Sequence, residues 1–246
     1  MRDYIKELFF KNKIKNKYNF FIFIILLMKI FVINFPNDMI RKHFQQEQLI
    51  GLNYTIIEGI NGHNLNYNKI DLNHNKNLFR KLKPGEVGCL LSHLKCYKKA
   101  LEKDLKEILI LEDDAELSID FDKKLKHVRN NSPINYDILL LSSTNCWRRH
   151  QKYKKIATIK KMDDNFSLIT GDHYGNQGYI ITAKAMRILL DYHEVNPLTY
   201  PADLLLTKLN LNVFLLNEDI LTTHRGFGSH TQSKRRYNDL DMFNEL

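Results

Sequence analysis

The chain has 246 residues, 43% of them hydrophobic and 11% aromatic, which is enough for one large domain or two small ones. This composition excludes a wholly disordered chain, and the 10 Gly and 5 Pro exclude collagen-like and low-complexity architectures. The 3 cysteines contain no CxxC pair and do not make a disulfide framework, so a reducing compartment such as the cytoplasm is expected.

The net charge of +9 is concentrated at the amino terminus, where residues 1–17 carry six Lys or Arg against two acids, followed by an apolar stretch. That stretch is short for a transmembrane helix. Two interpretations of residues 1–27 remain open: a dispensable extension before a natural start at Met28, or a basic, apolar anchor that contacts the inner membrane surface peripherally. We therefore divide the chain into an extension (1–27) and one domain (28–246) with a polar, basic C-terminal tail.

From residue 28 onward, apolar runs alternate with amphipathic stretches. Strands are predicted at 29–35, 54–58, 107–111, 137–142, 178–182 and 212–216, and helices at 38–50, 84–103, 121–129, 183–192 and 203–209. This βαβα order predicts an α/β domain with a mostly parallel central sheet. Residues 63–80 are predicted as a surface loop. The basic segment 147–161 favours either a solvated mobile loop or a site that recruits an anionic acceptor or membrane surface.

Three acids follow the apolar strand at 107–111 directly: Glu112, Asp113 and Asp114. Ligand sites of open α/β sheets lie at the carboxyl ends of strands, and adjacent carboxylates repel each other unless a cation compensates them. Carboxylate oxygens suit Mg²⁺ or Mn²⁺. The segment therefore indicates either a divalent-metal site or a solvated acidic turn.

An ordered set of segments surrounds these acids. In chain order they are VINF (32–35), EGING (58–62), LKPGEVGCLLSH (82–93), ILEDDA (110–115), GNQGYIIT (175–182) and PAD (201–203). Together they resemble glycosyltransferase family 25, the bacterial lipooligosaccharide galactosyltransferase family that is related to collagen galactosyltransferase domains. The resemblance covers about residues 28–225.

The resemblance implies a GT-A-like, Rossmann-like nucleotide-sugar-binding domain and an inverting transfer of galactose from UDP-galactose to a lipooligosaccharide or lipopolysaccharide core sugar. Three alternatives stay open: another UDP-sugar donor carrying glucose or N-acetylglucosamine, a divalent-metal phosphoesterase, and a non-catalytic basic membrane-binding module. No nucleic-acid partner is expected, because no nucleic-acid motif is present. The expected location is cytoplasmic, with peripheral contact at the cytoplasmic face of the inner membrane.

The resemblance also implies site residues for Mn²⁺ or Mg²⁺. Asp114 is assigned to the metal directly, and Asp113 and Glu112 to the metal or its water and to the ribose. His224 is either a second protein ligand or a surface histidine. Arg225, Lys234, Arg235 and Arg236 either close over the diphosphate or form a solvated basic tail.

Inversion needs a general base on the acceptor hydroxyl. Asp203 is the first candidate and Glu86 the alternative; each is also explained as a helix-terminal acid. The resemblance places Asn34, Arg41, Asn61 and Gly62 in loops around the nucleotide, and Arg41 is equally explained as a solvated helix residue. His93 either lines the donor or acceptor pocket or is a core histidine. Gly175 and Gly178 would let the backbone approach a sugar and Tyr179 could stack on one; the alternative is a turn that enters an edge strand.

Overall fold

The structure, a computed structural model, describes residues 28–74, 80–142, 157–224 and 226–227. The predicted N-terminal extension, the part of the basic segment before residue 157, and Arg225, Lys234, Arg235 and Arg236 lie outside the described residues.

Among the described residues, ten strands form one eight-stranded sheet and a separate two-stranded ribbon. In chain order the strands are β1 (Lys29–Asn34), β2 (Tyr54–Glu58), β3 (Glu107–Glu112), β4 (Ala115–Leu117), β5 (Ile138–Leu140), β6 (Ala157–Lys161), β7 (Phe166–Gly171), β8 (Gly178–Thr182), β9 (Val213–Leu216) and β10 (Leu221–Thr223). The large sheet has the order β2-β1-β3-β8-β5-β9-β7-β6, and β4 pairs with β10 in the ribbon.

Five helices accompany the strands in the part of the chain that the structure describes. They are α1 (Met39–Gln48), α2 (Pro84–Leu101), α3 (Phe121–Asn130), α4 (Ala183–Val195) and α5 (Ala202–Leu205), with 3₁₀ turns at Gly62–Asn64 and Tyr67–Lys69. Their starts follow from local chemistry, since Asp38 and Thr182 accept hydrogen bonds from the first turns of α1 and α4. None of the helices in the described ranges is both long and apolar enough to cross a bilayer.

The sheet confirms the predicted α/β fold class and its mostly parallel central sheet. Strands β7 and β8 run opposite to the other six, and β1 lies parallel to both β2 and β3. The apolar core lies on both faces of the sheet. Along β3, Ile108 and Ile110 pack into one cluster while Leu109 and Leu111 pack into the other, as the alternation of a buried strand requires.

Two expectations about local structure are wrong. Residues 157–161, expected within a mobile loop, form strand β6, which pairs antiparallel with β7. The helix expected at 203–209 is only the four-residue α5, because the chain enters a turn from Leu206. The loop expected at 63–80 contains 3₁₀ turns in its described part. Strands β4, β7 and β10 were not predicted from the sequence.

Candidate active site

The acidic turn, which consists of Glu112, Asp113 and Asp114, begins where β3 ends. The parallel strand β1 ends at the same side of the sheet. Glu112 is the last residue of β3, and the register places Ile33 of β1 opposite it. Asn34, the last residue of β1, therefore lies beside Asp113. The topology brings the predicted nucleotide-binding residues of the first strand to the predicted metal-binding acids, at the carboxyl ends of parallel strands.

Asp113 is bonded to protein groups through both of its side-chain oxygens. Oδ1 accepts from Arg41 Nη1 at 2.7 Å, and Oδ2 accepts from Asn34 Nδ2 at 3.1 Å and from the Phe35 backbone N–H at 2.8 Å. The Arg41 and Asp113 side chains are 3% and 8% exposed, so this is a buried, charge-assisted pair. These contacts fasten α1 and β1 to the acidic turn.

Two glutamines of α1 hold the turn from the same side. Gln45 Nε2 donates to the Ala115 carbonyl at 2.6 Å and to that of Asp113 at 3.3 Å. Gln48 donates to the Ala115 carbonyl and accepts from the Leu117 N–H. Neither glutamine was predicted from the sequence as a site residue. Gln45 is buried and Gln48 is partly buried, and a buried amide must find hydrogen-bond partners.

Asp114 differs from Asp113 in its surroundings. Its Oδ1 is buried and has no hydrogen-bond partner among the described residues. Burial, with the nearby charges of Glu112 and Asp113, raises the pKa of the Asp114 carboxyl to about 7. A buried acceptor without a donor is costly, and a cation would satisfy it.

The ribbon of β4 and β10 brings His224 to Asp114. Thr223 pairs with Ala115, and the His224 N–H donates to the Asp114 carbonyl at 2.8 Å. The His224 ring packs against Phe44 and Phe227, and its Nδ1 is buried without a partner in the described structure. A carboxylate oxygen and an imidazole nitrogen, each buried without a partner among the described residues, are ligand types that a divalent cation such as Mn²⁺ accepts.

Open space adjoins this pair. A cavity of about 710 Å³ lies beside the ribbon, within the size range of small-ligand sites. Its lining comes from β4, β10 and the residues next to them in the chain, namely Glu116, Leu117, Ser118, Ile119, Asp219, Leu221, Thr222, Thr223, His224 and Gly226.

The loop before β8 meets the acidic turn from the other side. The Glu112 N–H donates to the Gln177 carbonyl at 2.9 Å. Asn176 and Gln177 are buried, and Asn176 Nδ2 and Gln177 Oε1 have no partner among the described residues. In this segment the sequence predicted sugar contacts for Gly175, Gly178 and the adjacent Tyr179. Asn176 and Gln177, two polar side chains close before a buried strand, were not predicted as site residues.

Asp203, the first candidate base, lies against the same loop. Its Oδ2 accepts from the Gly175 N–H at 2.9 Å, and its Oδ1 accepts from the Leu204 N–H at 2.8 Å. Burial raises the pKa of the Asp203 carboxyl to about 6, although the two backbone hydrogen bonds oppose this, and the Glu112 charge adds to it. The helix cap of α5 is Pro201, so Asp203 is not itself the cap.

Glu86, the alternative base, is occupied at the start of α2. Its carboxylate accepts two hydrogen bonds from Arg80 at 2.7 Å and one from the Lys83 N–H at 2.7 Å. Burial raises the pKa of the Glu86 carboxyl, but these hydrogen bonds outweigh burial and hold the pKa below its usual value. The contacts favour a helix-capping role.

His93 belongs to a buried hydrogen-bonded chain. Its Nδ1 lies 2.7 Å from the Tyr179 hydroxyl, which lies 2.6 Å from the Tyr97 hydroxyl, and its Nε2 lies 3.4 Å from Glu112 Oε1. The expectation that Tyr179 stacks on a sugar does not fit this arrangement, because its side chain is fully buried and packs on the His93 ring.

The remaining predicted residues make structural contacts. Asn61 accepts from the His63 N–H and caps a 3₁₀ turn. A Cβ at Gly62 would lie 1.7 Å from the Pro84 carbonyl oxygen, and one at Gly178 would lie 2.4 Å from Leu221 Cδ2. Both glycines therefore allow elements to pack closely, and the sugar contact expected of Gly178 would have to come through its backbone.

Comparisons with known proteins identify the family. A sequence profile described as "Glycosyltransferase family 25 (LPS biosynthesis protein)" matches residues 27–206. The chain is 24% identical over 180 residues to human procollagen galactosyltransferase 2, covering 66% of this chain and 27% of that protein. It is 33% identical over 123 residues to a putative glycosyltransferase of Haemophilus influenzae, covering 50% of this chain and 41% of that protein.

The lipooligosaccharide biosynthesis protein lex-1 of Haemophilus influenzae is 26% identical over 126 residues, covering 48% of this chain and 40% of that protein. The matches thus span well under two thirds of the length of these curated relatives. A solved glycosyltransferase involved in glycosylation of the PBCV-1 major capsid superposes with a TM-score of 0.48 at 10% identity, covering 82% of this chain and 94% of that one. Since the family profile matches most of the chain, the protein belongs to glycosyltransferase family 25.

Proposed function

We propose that this protein is a metal-dependent, inverting glycosyltransferase that moves galactose from UDP-galactose to a core sugar of a lipooligosaccharide or lipopolysaccharide. The observation that supports the chemistry best is the contrast between the two aspartates of the acidic turn. Asp113 is saturated by protein donors, whereas Asp114 keeps a buried oxygen without a partner among the described residues. An enzyme that needs a cation for its donor would leave such an oxygen available.

Asp114 and His224 would hold the divalent cation. When bound, Mn²⁺ or Mg²⁺ compensates the negative charge that develops on the leaving diphosphate. Asp113 serves a positioning role in this proposal, because it orients Arg41, Asn34 and the turn that carries Asp114. Asn176 and Gln177 lie next to Glu112 and offer an amide donor and an acceptor to sugar or ribose hydroxyls.

Asp203 is the proposed general base. A carboxylate with a pKa of about 6 is ionised near neutral pH yet more basic than an exposed aspartate, which suits it to accept the proton of an acceptor hydroxyl. Its two backbone hydrogen bonds fix the carboxylate in one orientation. Direct attack by that hydroxyl on the anomeric carbon inverts its configuration in a single displacement.

The choice of galactose and of the acceptor rests on the family. Its profile is described as an LPS biosynthesis protein, and the relatives include procollagen galactosyltransferases and a lipooligosaccharide biosynthesis protein. UDP-glucose and UDP-N-acetylglucosamine are the competing donors: UDP-glucose differs from UDP-galactose in the orientation of one hydroxyl, and UDP-N-acetylglucosamine carries an N-acetyl substituent in addition. The proposed location remains cytoplasmic, with peripheral contact at the inner membrane.

The test is product analysis with the full chain, Mn²⁺, each UDP-sugar and a delipidated lipooligosaccharide core. We expect a galactosylated core whose new anomeric centre is β, read by NMR, because the UDP-linked sugar is α. A collagen peptide is the comparison acceptor. Transfer to the peptide alone would contradict the acceptor assignment, and an α-linked product would contradict inversion.

A further inference from the structure

Three potential metal-ligating side chains converge where α2 passes the end of β3. Cys89 Sγ lies 4.0 Å from Glu112 Oε1, and His93 Nε2 lies 3.4 Å from the same oxygen. One ligand atom from each of the three residues lies within 4.8 Å of the others. Cys89 and His93 are four residues apart in α2, so the helix presents both on one face.

These separations approach those of a tetrahedral zinc site. With Zn–S near 2.3 Å and Zn–N or Zn–O near 2.0–2.2 Å, ligand atoms of a tetrahedron are about 3.3–3.6 Å apart. The His93 to Glu112 separation of 3.4 Å already has this value, and the Cys89 to Glu112 separation of 4.0 Å is slightly larger. The third separation, between the ligand atoms of Cys89 and His93, is within 4.8 Å, so the side chains would have to draw together for all three to bind one ion.

A second layer of hydrogen bonds already orients the histidine. The Tyr179 hydroxyl lies 2.7 Å from His93 Nδ1 and is itself held by Tyr97. If His93 Nδ1 donates its proton to Tyr179, the lone pair of Nε2 faces the Glu112 carboxylate. Two acceptors then face each other with a cation-sized position between them. Metal-bound histidines usually have such an outer partner on the second ring nitrogen.

We propose that Cys89, His93 and Glu112 form a binding site for a borderline-soft divalent cation of the Zn²⁺ type, made by other residues than the site proposed at Asp114 and His224. The Cys89 thiolate distinguishes it from a magnesium or manganese site. Three protein ligands leave the fourth position open to water or to another ligand. The Cys89 thiol releases its proton when the metal binds.

The test is a titration of the metal-free full chain with Co²⁺ alone, which substitutes for Zn²⁺ and gives a thiolate-to-cobalt charge-transfer band. We expect the band in the wild-type chain, its loss in Cys89→Ala, and its retention in Cys96→Ala, the matched variant of a buried cysteine on the same helix. Tyr179→Phe should weaken Co²⁺ binding by about 10–100-fold, because it removes the outer partner of His93. Asp114→Asn should keep the band.

Absence of the band in the wild-type chain, or its survival in Cys89→Ala, would overturn the proposal. A second measurement avoids dependence on variants that fold poorly. Alkylation of Cys89 in the wild-type chain, followed by peptide mass spectrometry, should slow when Zn²⁺ is added, and equal rates with and without Zn²⁺ would also overturn the proposal. Neither readout requires transferase activity. A negative result would therefore rule out the Zn²⁺-type site without affecting the proposed transferase function.

Discussion

Asp203 and Asp114 both carry carboxyl groups whose pKa burial raises, but their oxygens are used differently. Asp203 accepts two backbone hydrogen bonds, whereas Asp114 has a buried oxygen with no partner in the described structure. The first arrangement fixes the direction of the carboxylate that we propose as the general base. The second leaves an oxygen for a ligand that the protein does not itself supply. These assignments lead to separate predictions.

Asp203→Asn should lower kcat by about 10²–10⁴-fold with little change in the donor KM, because the amide keeps the shape but cannot accept the proton. In the wild-type enzyme kcat/KM should rise with pH through about 6, where Asp203 loses its proton. Steady-state kinetics across pH checks both. Glu86→Gln is the control and should cost stability through the Arg80 pair while kcat stays within a few-fold. A fully active Asp203→Asn enzyme would remove Asp203 from the chemistry.

Asp114→Asn should stabilise the metal-free protein by about 1–2 kcal/mol at about pH 8. The pKa of this carboxyl is raised from 3.8 to about 7 in the folded state, so between these values the folded protein binds the extra proton. The free energy of unfolding therefore falls as pH rises through this window and stays reduced above it. Urea unfolding at several pH values, in EDTA, measures the effect.

Asp113→Asn is the matched comparison and should act in the opposite direction. It removes the charge that pairs with buried Arg41, and breaking such a pair costs about 3 kcal/mol. If the two variants changed the free energy of unfolding in the same direction and by the same amount, the distinction between the two aspartates would be wrong.

At the scale of elements, the 3₁₀ turn of Gly62–Asn64 packs directly on the start of α2. Gly62→Ala places a Cβ 1.7 Å from the Pro84 carbonyl oxygen, a backbone atom that cannot move without shifting the helix. We expect a loss of stability of about 2–3 kcal/mol or more. Asn64→Ala in the same turn is exposed and should change stability by less than about 0.5 kcal/mol. Thermal unfolding of both variants distinguishes this packing role from nucleotide binding, and an unchanged Gly62→Ala protein would contradict it.

Elements with a strong local signal could be predicted from the sequence. Strands β2 and β8 have the predicted bounds, because apolar β-branched runs end at clear turn or cap residues such as Thr182. Strands β4 and β10 have three residues each and exist because they pair with each other across about a hundred residues of chain. No local pattern carries that information.

The residues of the candidate site could likewise be predicted only in part from the sequence. The acidic turn and Asp203 could be singled out by residue type and order alone. The division of roles between Asp113 and Asp114 could not, because it depends on Asn34 and Arg41, which are 79 and 72 residues away from Asp113. The burial of Tyr179 depends on α2 in the same way, through His93 and Tyr97.

In the molecule as a whole, the sheet brings candidate site residues together from four parts of the chain. The carboxyl ends of β1 and β3, the loop before β8, and the ribbon of β4 and β10 surround the acidic turn. In the proposed function, this assembly binds a UDP-sugar through a divalent cation at Asp114. If no cation binds there, the family membership and the fold still hold, but the proposed chemistry does not.

The most direct measurement is UDP release by the full chain from UDP-galactose, UDP-glucose and UDP-N-acetylglucosamine, with Mn²⁺ or EDTA. Release should be fastest from UDP-galactose, be lost in EDTA, and fall on the order of 10²-fold in Asp114→Asn. Asp120→Asn, at an exposed carboxylate outside the turn, should match the wild-type rate. UDP release that is unchanged by EDTA and by Asp114→Asn would contradict the metal site on which the account depends.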